Sequence, residues 1–139
     1  MKTLPPALRV LLIKDNPVDV DILKHGMSKL GLSLNIMVYD RGETACDFLR
    51  SGGESAQVDL VILDLKLKGE YGLDTLKKIR ALPATKDVPV IIWTSSDHDG
   101  DMVQSYRLGG TFFMSKPGSE NEFRDVIGHL KITGRLKQK

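Results

Sequence analysis

The sequence predicts an α/β fold, a doubly wound parallel sheet with helices on both faces, and three observations carry that reading. Val10–Ile13 and Leu60–Leu63 are continuous apolar runs, as strands are when both faces are covered. Segments of helical apolar spacing separate such runs, so strand and helix alternate five times along the 139 residues. Polar, chemically useful residues stand directly after the strong strands, at the edge where open parallel sheets gather ligands. Right-handed crossovers leave little topological freedom beyond this arrangement.

Arg9–Ile13 form the first strand. Asn16-Pro17 opens a helix, with proline at a tolerated first-turn position; Val20, Leu23, Met27 and Leu30 make its apolar stripe and Gly31 suits its end. Leu34, Ile36 and Val38 alternate with Asn35, Met37 and Tyr39, as in an edge strand. A second helix runs from about Thr44 to Leu49 and closes at Ser51-Gly52-Gly53. Leu60–Leu63 is the third part of the pattern, a strand, followed by a loop ending at Gly72. Leu73, Leu76, Ile79 and Leu82 mark the third helix. Val88–Trp93 is a strand with Pro89 near its start, where a missing N–H does least harm. A fourth helix spans roughly Asp101–Leu108 and stops at Gly109-Gly110; Thr111–Met114 is the last strand. Phe123, Val126, Ile127 and Leu130, at i, i+3, i+4 and i+7, give an amphipathic fifth helix. No repeat or linker interrupts the pattern. A single domain over residues 1–139 is expected, with its core at about 8–132 and a short basic tail carrying Lys131, Arg135, Lys137 and Lys139.

Composition narrows the function classes. Hydrophobic residues make up 41% of the chain and charged residues 27%, enough for one core and too mixed for disorder. With 20 basic and 18 acidic residues the net charge is +2, too balanced to argue for nucleic acid. No apolar run approaches the ~18 residues that a membrane span needs. Cys46 is the only cysteine, so no intrachain disulfide forms; this and the lack of a signal peptide favour the cytoplasm. His25, His98 and His129 lack ligand spacing, and Asp97, Asp99 and Asp101 lack the glycine and distal glutamate of a calcium loop. Asp19 and Asp21 suit the first turns of their helix through its dipole, and Trp93 reads as a core residue.

The residues after the strands have a chemical logic. Lys14-Asp15 follows the first, Asp64 the third, Thr94-Ser95-Ser96 the fourth and Ser115-Lys116-Pro117 the fifth. Oxygens from Asp15, Asp64 and a backbone carbonyl suit Mg²⁺, which lowers the repulsion between an attacking carboxylate and an anionic phosphoryl donor. The carboxylate then forms an acyl phosphate. Thr94 is placed to donate to a phosphoryl oxygen and Lys116 to neutralise its charge.

Leu12-Ile13-Lys14-Asp15-Asn16-Pro17, Val61 through Gly69, Trp93-Thr94-Ser95 and Ser115-Lys116-Pro117 together resemble the receiver domain of two-component response regulators, over about Arg9 to Leu130. Each motif alone is weak; four in order at the ends of the proper strands are specific. The resemblance implies a flavodoxin-like five-stranded sheet of order 2-1-3-4-5 with five helices. It implies a phosphoryl-accepting signalling domain rather than an enzyme. Asp64 would accept phosphate from a phosphohistidine on a sensor histidine kinase or a phosphotransfer protein. Mg²⁺ would be held by Asp15, Asp64 and the backbone carbonyl of Lys66. Thr94 and Lys116 would sense the phosphoryl group, Phe113 would be the aromatic switch, and the Lys116–Pro117 bond would be cis.

Two positions depart from the family pattern. Lys14 stands where an acidic residue is usual, and Lys68 where proline is common. An ammonium near the metal position repels Mg²⁺ and pairs with Asp64 instead, so weakened metal binding is expected. Either Lys14 swings out and leaves a weaker working site, or it stands in for the metal charge and fixes one state. The first gives a phosphorylated single-domain response regulator acting by conformational change. The second gives a degenerate receiver that binds its partner without phosphate. Lys66, two residues after Asp64, borders the path of the water that hydrolyses the acyl phosphate in the family, or is only an exposed loop residue. With the chain ending soon after the fifth helix, no appended output domain is expected. A downstream protein would bind the face of the fourth helix, last strand and fifth helix, and a homodimer is compatible with that. A flavin enzyme is disfavoured, because Asp15-Asn16-Pro17 is not a phosphate-cradling turn.

Overall fold

The structure, a computed structural model, describes residues 8–29, 34–51, 57–67, 69–94, 99–115 and 125. Among the described residues seven strands and four helices of more than one residue follow one another: β1 Leu8–Ile13, α1 Pro17–Ser28, β2 Leu34–Tyr39, α2 Gly42–Ser51, β3 Leu60–Leu63, β4 Lys66–Leu67, β5 Glu70–Tyr71, α3 Gly72–Ala81, β6 Val90–Thr94, α4 Asp99–Arg107 and β7 Phe112–Ser115. Five strands form one parallel sheet in the order β2-β1-β3-β6-β7. Counted within that sheet alone, this is the expected 2-1-3-4-5. The fifth helix, Lys116, Pro117, Lys68 and the basic tail lie outside the described residues, Asp125 alone being helical there.

The apolar runs are explained by the two cores. On one face Leu11, Ile13, Val61, Leu63, Val90 and Ile92 pack with residues of α2 and α3. On the other, Val10, Leu12, Leu60, Ile62, Ile91 and Trp93 pack with Val20, Leu23 and Met27 of α1. Successive side chains leave opposite faces of a strand, so a strand covered twice has no polar position to spare.

Boundaries shift by one to three residues, mostly outward for the helices. β2 corrects the expected alternation: Asn35 and Val38 are exposed, whereas Leu34, Ile36, Met37 and Tyr39 are half-buried. Tyr39 stacks on Phe48 of α2, with ring centroids 5.4 Å apart, which turns it inward beside Met37. The loop before Gly72 is also more ordered than expected. Lys66–Leu67 and Glu70–Tyr71 pair as a small antiparallel hairpin, turned by Gly69 at φ +70°. Gly72 then passes so close that a Cβ there would lie 2.6 Å from the Asp64 carbonyl oxygen. A side chain at Gly72 would displace the backbone of the residue that the sequence singles out.

Candidate functional site

The sheet register brings the site together. Ile13 pairs with Leu63 and Leu63 with Ile92, so Lys14 and Asp64 leave adjacent strands side by side. The backbone continues the ladder there: Asp64 N donates to the Ile13 carbonyl (3.1 Å) and Lys14 N to the Tyr39 carbonyl (2.9 Å). Thr94 ends β6, fully buried, opposite Ser115 in the register with β7. Asn16 caps α1, its side chain accepting from Val18 N at 2.9 Å, and Pro17 takes the first helical position. That tight strand-to-helix turn swings Asp19, one turn into α1, back over the strand end.

A buried ammonium occupies the centre. Lys14 Nζ lies 2.8 Å from Asp64 Oδ2, with side-chain exposures of 0% and 3%. Asp19 Oδ2 is 3.8 Å from the same nitrogen, and the Trp93 ring centroid 4.5 Å from it. The other carboxylate oxygen of Asp64, Oδ1, accepts from Lys66 N at 3.0 Å. So Asp64 is oriented by one charged and one neutral donor. Lys14 is not turned to solvent. Asp19 contributes more than a helix-dipole role, because it faces the ammonium.

Asp15 is half-buried and lines an open cleft of about 630 Å³ with Leu65, Lys66, Leu67, Gly69, Tyr71 and Asp101. The Tyr71 phenol is raised above its ordinary value by desolvation first, then by the carboxylate of Asp101, to which it is hydrogen-bonded, and by Asp74. Phe113 on β7 is half-buried against the α2–α3 core, and its N–H donates to the Tyr106 hydroxyl of α4 at 3.2 Å.

The donor set around Asp64 is already engaged. One oxygen of Asp64 faces an ammonium and the other a backbone N–H. Among the described residues no three His, Cys, Asp or Glu side chains are grouped to hold a metal. A divalent ion on Asp64 Oδ2 would sit beside Lys14 with like charges a few ångström apart. The residues as arranged do not fit Mg²⁺.

Sequence reasoning missed Arg80. Its guanidinium donates to the carbonyls of Gly109 (2.9 and 2.6 Å), Thr85 (2.8 Å) and Val88 (2.5 Å). Nothing in the local sequence marks this residue, since its short hydrogen bonds go to backbone carbonyls of later segments. Among the described residues, no helix is long and apolar enough to cross a membrane.

Known proteins share this fold. The response regulator Rcp1 of Synechocystis sp. is 28% identical over 115 residues, covering 81% of this chain and 78% of Rcp1. The structure of the bacteriophytochrome response regulator AtBRR superposes with a TM-score of 0.77 at 30% identity, over 97% of this chain and 98% of that one. The receiver domain of sensor histidine kinase PA1611 from Pseudomonas aeruginosa PAO1 has the same fold, with a TM-score of 0.75 at 22% identity over 89% and 97% of the two chains. That protein holds a magnesium ion in its active-site cleft. The family model for the response regulator receiver domain matches residues 10–128. The chain belongs to the response regulator receiver domain family.

Proposed function

We propose that this chain is a phosphoryl-accepting signalling receiver, with Asp64 as the acceptor and a sensor histidine kinase or phosphotransfer protein as the donor. The observation that carries this reading is the state of Asp64. It stands at the carboxyl end of the central strand β3, paired with Lys14 and oriented by the Lys66 N–H. A carboxylate oxygen attacks phosphorus, the bond from phosphorus to the donor histidine nitrogen breaks, and an acyl phosphate forms. The new group adds roughly −1.5 to −2 charges and three acceptor oxygens. Thr94 donates to one of these oxygens and Lys116 balances the charge. Phe113 passes the change to the surface through the Tyr106 contact.

Lys14 opposes Mg²⁺ at this site, because its ammonium already holds Asp64 Oδ2. The downstream protein docks on α4, β7 and the helix expected at residues 123–130. Met102, Val103 and Tyr106 of α4 are exposed there, as an apolar contact surface requires. The chain works in the cytoplasm, as a single receiver domain over residues 1–139.

The test uses a small-molecule phosphodonor or beryllofluoride on the wild type, Asp64→Asn and Lys14→Asp. A gain of one phosphoryl group by intact mass in the wild type, absent in Asp64→Asn, supports the reading. A second reading is favoured by one observation: both carboxylate oxygens of Asp64 already have donors. It makes the chain a partner-binding module that needs no phosphate. Modification of Lys14→Asp alone, with an unmodified wild type, establishes that second reading.

A further inference from the structure

We propose that the Lys14 ammonium is the resident cation of this site and replaces the divalent metal, so that Asp64 takes a phosphoryl group without metal. This rests on the acceptor reading of Asp64 above and adds what neutralises the charge there.

The geometry is that of a built cation site. The ammonium is wholly buried, and a buried charge persists only where it is paired. Its partners come from three elements: Asp64 after β3 at 2.8 Å, Asp19 on α1 at 3.8 Å and the Trp93 ring on β6 at 4.5 Å. Two carboxylates and an aromatic face surround one positive charge. That is the environment a cation needs, here filled by a side chain of the protein itself. The position is also the one that the chemistry requires. An anionic donor approaching an anionic carboxylate must meet a fixed positive charge beside the attacking oxygen, and Lys14 touches that carboxylate. An ammonium carries three N–H donors, so it can bridge a carboxylate oxygen and a phosphoryl oxygen. A tethered cation loses no affinity to dilution, whereas a free ion must be bound. The same charge that assists the phosphoryl group excludes Mg²⁺ from Asp64 Oδ2.

With phosphoramidate as donor, the oxygen–phosphorus bond to Asp64 forms, the phosphorus–nitrogen bond breaks, and the protonated donor nitrogen leaves as ammonia. No other reactant is needed.

The experiment has two arms, each on the full chain. In the first, Mg²⁺ is titrated into the wild type and Lys14→Asp, followed by Trp93 fluorescence and by calorimetry. The wild type is expected to bind at least about tenfold more weakly. Equal affinity of the two proteins overturns the proposal. In the second, phosphoramidate is applied with chelator or with Mg²⁺, and mass spectrometry follows the rate. The wild-type rate is expected to change by less than about twofold on adding Mg²⁺, whereas Lys14→Asp requires the metal. Lys14→Met, which keeps volume and removes charge, is expected to lose at least about tenfold of the metal-free rate. It covers the case in which the aspartate variant folds poorly. A wild type modified only with Mg²⁺ overturns the proposal. If no protein is modified under any condition, the acceptor role of Asp64 fails, and the titration arm alone still decides whether Lys14 holds the cation site.

Discussion

Lys14 and Arg80 are cations set into opposite edges of the same sheet, and they are held in opposite ways. Lys14 stands at the carboxyl edge, after β1, and answers mainly one ionised side chain, Asp64. Arg80 stands at the amino edge and answers neutral backbone carbonyls at the entries to β6 and β7, those of Thr85, Val88 and Gly109. The residue types match the tasks. A guanidinium is a planar fork with five donors and spans several carbonyls at once; an ammonium is a compact charge that pairs with a point partner. The Arg80 site ties down loops and has no group that reacts. The Lys14 site has a nucleophilic carboxylate and a half-open cleft beside it. A buried cation therefore marks function here only where its partner is itself chemically competent.

The largest expected effect tests the Lys14 side of that contrast. Lys14→Met leaves Asp64 buried without its cation and should lower unfolding stability by about 3 kcal/mol in urea melts. Adding Asp64→Asn should return most of it, with a coupling of about 2 kcal/mol in the double-mutant cycle. A Lys14→Met protein as stable as the wild type would mean that the pair contributes nothing and that the two edges do not differ in kind. Next comes Arg80→Ala, expected to cost about 2 kcal/mol through carbonyls left without a donor. A second substitution is not expected to rescue it, because its short hydrogen bonds go to main-chain carbonyls and only a long one, at 3.5 Å, reaches a side chain, Thr111. Arg80→Lys should recover less than half, since one ammonium cannot span Gly109 and Val88 together. Full recovery would show that charge and not fork geometry matters there. Asn16→Ala, which removes the α1 cap, should cost about 1 kcal/mol by the same melts.

The two edges also differ in how far the sequence discloses them. Asp64 and Thr94 follow an apolar run directly and Asp15 follows one after Lys14, and a parallel sheet delivers such positions to one edge whatever the details of packing. Lys14 was visible for the same reason, as a lysine in an acidic slot. Its rotamer was not visible, because it depends on Asp19 from α1 and Trp93 from β6 closing around the nitrogen. Arg80 was invisible altogether: its partners carry no side-chain signature, and the contacts run 29 residues ahead to Gly109. The hairpin at Lys66–Tyr71 was hidden too, since two-residue strands have no periodicity to detect. Val38 misled because its alternation with neighbours on β2 was genuine in sequence, yet the Tyr39–Phe48 stack sets which side turns inward.

The smallest expected effect lies in the open cleft lined by Asp15, Leu65 and Tyr71. Tyr71 is 52% exposed, so its hydrogen bond to Asp101 is screened in a way the Lys14 pair is not. Its phenol titrates above the ordinary value of 10.0, through desolvation first and Asp101 second. The folded state therefore keeps a proton that the unfolded chain has lost. The associated stability is present below pH 10 and falls away as the pH rises through the raised value. An ultraviolet phenolate titration of the wild type minus Tyr71→Phe isolates this residue from the other tyrosines. Asp101→Asn should move the isolated curve back toward the ordinary value while leaving stability within about 0.5 kcal/mol at neutral pH. A curve that does not move would leave desolvation and Asp74 as the causes. A stability loss as large as that of Lys14→Met would mean that the cleft wall is as tightly held as the buried pair. The separation of an open cleft from a closed cation site would then fail.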